Sequence, residues 1–276
     1  MFSSRASPRN CHYILVSLII LLSASTLEKA VAIGGQAETS RPAKLFVDGP
    51  RPIAKAIEQL EDKYGWIITY EDVRYSHESD LVDVTHPEYR KAHPSAKALL
   101  PRWGQIEINY TVSTKTGSPD NPVEVIQKVL NNHVAKGNPG VLALKQAGEV
   151  LHIVPVKVKN SRGQMVNISA ILDVPISLPE EERPPMAIVE AICQALSRET
   201  QTTVFKGTAP LNLHQRIRVG AANEPARDVL TRTLANTKRR LSWKLYYDPT
   251  LKVYALNINP VRDPLQGKID PTGRRY

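Results

Sequence analysis

The sequence predicts an α+β protein made of two tandem βαββαββ modules, each with small mixed sheets and two helices, the first carrying a long insertion. Three observations support this reading. Four segments begin with proline and continue at helical periodicity, at Pro52, Pro122, Pro185 and Pro225. A β-branched or aromatic run follows each of them directly. After the second and fourth, a tight turn leads into one further strand, so that each ends in a hairpin. Self-similarity of this kind marks an internal repeat.

In chain order, residues 1–32 read as a secretory leader. Arg5 and Arg9 precede an apolar run from Tyr13 to Leu22, and Ala30-Val31-Ala32 supplies a small-x-small cleavage site. The run is about half of the roughly 20 residues that span a bilayer, so cleavage is expected rather than anchoring, with no transmembrane span in the processed chain. A strand is expected at Lys44 to Val47. The helix from Pro52 carries the stripe Ile53, Ala56, Ile57, Leu60, and Trp66 to Tyr70 forms the strand after it. Residues 75–104 add about 30 residues with three prolines and no clean period, which reads as a long loop with room for one short helix.

Gln105 to Val112 is the next expected strand, and the helix from Pro122 carries Val123, Ile126, Val129 and Leu130. Its start is the clearest of the four, because Asn121 can cap while Glu124 stands three residues on. Val141 to Ala147, Gly148-Glu149 and Val150 to Val158 form a hairpin. The second module repeats the pattern with a strand over Val166 to Ile176, the helix from Pro185 (Met186, Val189, Ile192, Cys193, Leu196) and a strand at Thr202 to Phe205. There follow a strand at Arg216 to Val219, the helix from Pro225 (Ala226, Val229, Leu230, Leu234) and the hairpin Leu241 to Ile258. The modules are thus expected at 44–158 and 164–262, with a tail over 263–276.

The order of elements, the helix motif Ala56-Ile57-Glu58-Gln59-Leu60 and the closing strand, turn and strand of Leu241 to Ile258 resemble the short N-terminal domain of secretins and TonB-dependent receptors. Tyr70-Glu71-Asp72 and Ser79 to Thr85 are similar to segments of exported bacterial proteins. The resemblance covers nearly the whole chain after the leader, as two copies, and differs from the family in its insertion. It implies a small periplasmic α/β domain that works by docking partner proteins or substrates.

Composition narrows the function further. Of 276 residues, 42% are apolar and 6% aromatic, so rings for an extended nucleic-acid stacking platform are scarce. The formal charge of +9 is spread along the chain rather than blocked. An exported basic protein is expected to meet an acidic envelope protein or an anionic polymer, not nucleic acid. Of two cysteines, Cys11 leaves with the leader, which excludes an intrachain disulfide, and Cys193 falls on a helix's apolar stripe.

No Gly-x-Ser-x-Gly elbow, phosphate loop or dinucleotide glycine pattern occurs, and no cofactor is expected. The densest group of metal-ligand types is His77, His86 and His93 with neighbouring carboxylates in the insertion, but their spacing matches no compact zinc signature. They would serve the alternative reading of a metal-dependent hydrolase using the insertion. The leading reading is a non-enzymatic periplasmic or extracellular adaptor, and a structural component of an envelope secretion or uptake assembly is a further alternative. Lys157, Lys159 and Arg162 at the join of the modules are the expected binding residues, flanking a groove with a positive potential.

Overall fold

A computed structural model describes residues 40–210, 213 and 215–263. The segment expected to be a leader, with the expected cleavage site at Ala30-Val31-Ala32, and the residues from 264 on lie outside the described residues. The fold is α+β. Its first half runs β1 (Ser40–Gly49), α1 (Pro52–Tyr64), β2 (Ile67–Glu71), the insertion, β5 (Gly104–Ser113), α3 (Pro122–Ala135), β6 (Val141–Ala147) and β7 (Val150–Lys159). Its second half runs β9 (Pro175–Arg183), α4 (Pro185–Thr200), β10 (Val204–Lys206), β11 (Ile217–Pro225), α5 (Ala226–Ala235), β12 (Leu241–Asp248) and β13 (Val253–Pro260).

Local sequence explains the helix ends. Pro52, Pro122 and Pro185 occupy the first turns of α1, α3 and α4, where a missing N–H costs nothing. Asn121 Oδ1 accepts from the Glu124 amide at 3.3 Å and caps α3. Gly65, at φ 68°, ends α1 in the left-handed conformation, and its amide donates to the Glu61 carbonyl. The stripe residues Ile57, Leu60, Ile126, Val129, Val189, Leu196, Val229 and Leu230 are fully buried.

β1 and β5 form one antiparallel pair and β9 and β11 another. The central sheet has the order β10-β13-β12-β2-β7-β6, with the short β8 (Met165–Asn167) added to β7. Within each half the outer strands pair alike. β2 runs parallel and β6 antiparallel to β7, just as β10 runs parallel and β12 antiparallel to β13. The halves do not stand as two bodies with separate small sheets. β12 of the second half pairs in parallel with β2 of the first, and one hydrophobic core runs through both.

That junction is short: Lys244 faces Tyr70 and Leu245 faces Glu71. Successive strand residues point to opposite faces of a sheet, so Lys244 and Glu71 do too. The Lys244 ammonium reaches Glu61 on α1, and the Glu71 carboxylate reaches Arg227 on α5 at 2.7 Å. The two halves therefore lay their helices on opposite faces of the common sheet. Arg227 also binds Asp173 at 2.8 Å, and Arg51 joins Asp72, at 2.7 Å, to the Tyr247 carbonyl. Burial raises the Glu71 carboxyl above its ordinary range, while Arg227 opposes the rise.

Two expectations are corrected. The strand expected over Val166 to Ile176 is broken into β8, a 3-10 turn at Ile171–Asp173 and β9, because the buried Glu71 carboxylate takes the Ile171 amide and Leu172 sinks into the core. The insertion holds more than a loop with one helix. Besides α2 (Pro87–Ala92) it contains a hairpin of β3 (Leu81–Asp83) and β4 (Leu99–Pro101). Its ties to the body include the Leu99 amide donating to Thr250 Oγ1, Arg102 donating to the Gly137 carbonyl and Lys159 of β7 donating to Asp80.

Removing Arg227 strands a buried carboxylate. Arg227→Ala is expected to cost about 3–5 kcal/mol in urea unfolding, whereas Glu71→Gln combined with Arg227→Met, which keeps an acceptor for the Ile171 amide, recovers most of the loss. A second test uses pH. Burial, then Arg227, lowers the His152 imidazole from 6.5 to about 4, and its Nδ1 pairs with Thr69 Oγ1 at 2.7 Å. As pH falls below 6.5 the unfolded chain takes up this proton first, so His152 makes stability fall down to about pH 4. Unfolding free energies across this range should decline less steeply in His152→Asn than in the parent.

Candidate functional site

The structure gives the three insertion histidines separate tasks. His77 Nδ1 accepts the Ser79 amide and caps the 3-10 turn Glu78–Asp80, with its ring against Gly163. His86 leads into α2, and His93 ends it with its ring 4.6 Å from that of Tyr89. Among the described residues no group of three or more His, Cys, Asp or Glu is placed to hold a metal ion. Cys193 is buried on α4, and burial pushes its thiol up to about 12.

The expected basic site at the join is also redistributed. Lys159 turns inward and donates to Asp80, at 2.8 Å, and to Ser79 Oγ, at 3.0 Å, which fastens the insertion to β7. Lys157 is exposed on β7, and Arg162 is exposed in the turn that Asn160 organises through the Arg162 amide. Two adjoining clefts of about 320 and 400 Å3 do lie between the halves, sharing Pro155, Ile168, Ser169 and Val174. None of Lys157, Lys159 and Arg162 lines them; their cations are Arg74 and Lys145. The groove and the basic turn are thus separate features, because the Asp80 carboxylate, nearly fully buried, requires Lys159 as its counter-charge.

A larger cleft, of about 560 Å3, forms where α1 ends, α3 begins and the β6–β7 turn closes. Its wall is aromatic. The left-handed Gly65 reverses the chain so that Trp66 folds back onto Tyr64, with ring centroids 4.8 Å apart and planes at 27°. Tyr64 is braced from behind by Tyr110, their hydroxyls 2.9 Å apart, and burial raises its phenol above the ordinary range. Gly148, at φ 58°, makes the tight turn that brings Gln146 and Glu149 to the rim.

Arg240 completes the cleft from the second half, its guanidinium donating to the Gly65 carbonyl. The sequence places Arg240 after the fourth helix, where a cation would oppose that helix's own dipole; in the fold it serves the C-terminus of α1 instead. The opening thus pairs stacked rings with a guanidinium and with the amide side chains of Asn121 and Gln146. The lining offers one carboxylate, Glu149, and no Ser, Thr, Cys or His to pair with it as nucleophile or base. Sequence reasoning passed over this site, although Tyr64-Gly65-Trp66 just beyond an apolar stripe was a readable signal for a helix stop flanked by rings.

Reversing charge should separate the three lysine and arginine positions. Lys159→Glu is expected to lower stability by about 2 kcal/mol or more by setting a carboxylate beside buried Asp80, whereas Lys157→Glu and Arg162→Glu leave the thermal midpoint unchanged. Compared with known proteins, the chain matches no family model, no curated protein and no solved structure at a significant level.

Proposed function

We propose that this chain is an exported, non-enzymatic adaptor of the cell envelope, built from two copies of a module like the short N-terminal domain of secretins and TonB-dependent receptors. The cleft of Tyr64, Trp66 and Arg240 is its recognition site, and the ligand is a segment of an envelope protein carrying an apolar side chain next to a carboxylate. The observation that carries the proposal is the placement of a stacked aromatic wall beside an anchored guanidinium, in a cleft without a nucleophile or base pair. Aromatic residues and arginine dominate the energetics of protein recognition because they bury much surface at low entropic cost. The leader-like residues 1–32 and the net charge of +9 support export and an acidic partner.

Among the described residues no helix is long and apolar enough to cross a membrane, which fits a chain that meets its partner from the aqueous side. The hydrolase alternative gains no support, since His77, His86 and His93 hold separate positions.

The test is site-specific photo-crosslinking from position Val123, on the cleft rim, in envelope extract. A defined protein partner should be captured, with capture weakened about tenfold or more by Trp66→Ala and made less sensitive to salt by Arg240→Gln. Capture that ignores both substitutions places recognition elsewhere. Absence of any defined adduct removes the adaptor reading.

A further inference from the structure

The junction inside the chain supplies a template for contact between chains. β12 is the counterpart of β6, since Leu245 faces Leu256 of β13 as Leu144 faces Ile153 of β7. β10 is likewise the counterpart of β2, with Val204 facing Tyr254 as Ile68 faces Leu151. The strand pair that unites the halves, β12 with β2, therefore joins the last strand of one three-stranded unit to the first strand of the next. Among the described residues no further strand pairs with either end of this series, β6 at one side of the sheet and β10, whose Val204 amide and carbonyl bond to Ser197 Oγ, at the other.

We propose that copies of the chain associate head to tail, β10 of one copy adding in parallel to β6 of the next and so repeating the β12–β2 junction between molecules. Applying the register Lys244 to Tyr70 to the counterpart strands sets Lys206 beside Ala143 and Phe205 beside Leu142. The edge chemistry permits this. Natural sheets guard exposed edges with charge or proline, but Val141-Leu142-Ala143-Leu144 contains neither. The nearest charges are neutralised within the chain, Lys145 by Asp173 and Lys206 by Glu190. Phe205, at the opposite edge, is 45% exposed.

The geometry also fixes the kind of assembly. Because β12 and β2 are parallel while the helices of the two halves lie on opposite faces, each unit follows the last by a half-turn and a shift along the sheet. Such a contact joins two different surfaces and does not close on itself, so it builds an open series. The contact between copies is weaker than the one within the chain. The positions of Glu71 and Asp72 are taken by Gly207 and Thr208, which carry no charge, and the Thr208 amide is held by Asn257 Oδ1 at 2.8 Å. Association is therefore reversible and concentration-dependent.

Sedimentation velocity of the purified chain and two variants tests this. The parent should form species beyond the dimer as concentration rises. Ala143→Lys, which charges the β6 edge, and Phe205→Lys, which charges the β10 edge, should each sediment as monomers, while their equimolar mixture gives dimers and nothing larger. Each variant keeps the edge the other has lost, so dimers in the mixture also report that both are folded. A parent that stays monomeric at every concentration, a variant that still associates by itself, or a mixture that fails to dimerise overturns the proposal. The outcome is independent of the cleft: Trp66→Ala should assemble like the parent, and a foreign partner captured from Val123 should remain bound by both edge variants.

Discussion

The structure depends on a set of ion pairs buried where the two halves of the sheet meet. Two residue pairs of β12 and β2 would make a weak seam by backbone bonding alone. Glu61, Glu71 and Asp72 from the first half instead face Lys244, Arg227 and Arg51, and the links that these make to α5 and β12 cross the boundary. Asp72 is the most heavily used. It accepts from the Tyr70 and Tyr75 hydroxyls, the Val73 and Tyr247 amides and the Arg51 guanidinium. Those donors compensate the carboxylate for the water it has lost, and its burial makes the loss of any one of them costly. Specificity of docking, more than net stability, is what such pairs contribute, since an apolar seam could slide in register where this one cannot.

The same seam builds the cleft beside Tyr64 and Trp66. Arg240 can reach the Gly65 carbonyl only because β12 is registered against β2, and its guanidinium then stands beside the rings of Tyr64 and Trp66. The remaining wall comes from local features of the first half, the capped start of α3 and the turn at Gly148. A long-range constraint thus places the charge while short-range ones place the rings.

Much of the fold was legible because its elements obey local rules. The proline-led stripes of Ile57, Leu60, Val189 and Leu230 gave the helices, and the hairpins followed from β-branched runs around Gly148-Glu149 and Asp248-Pro249-Thr250. What escaped was set by pairing across long stretches of chain. Nothing local to Val166 to Ile176 announces that Glu71 will draw off the Ile171 amide and end a strand. Lys159 reads as a surface cation until Asp80 is brought against it, and β12 reads as the end of a module until it is found beside β2. Of the cleft, the ring pair left a trace in the sequence; its cation, Arg240, did not, because its partner lies 175 residues away.

The span of the fastening bonds bears on when the chain can close. Arg227 reaches back 156 residues to Glu71, Lys244 reaches back 183 to Glu61, and Arg51 reaches forward 196 to the Tyr247 carbonyl. During synthesis the first half emerges with its three carboxylates still lacking the residues of α5 and β12 that complete the seam. Contacts of such sequence separation are late and slow to form, since their loop-closure entropy is met only by the finished seam. The amino-terminal half is therefore committed early and completed last, and a chain broken off before Arg227 would retain helices α1 and α3 without a way to bury Glu71 as an ion.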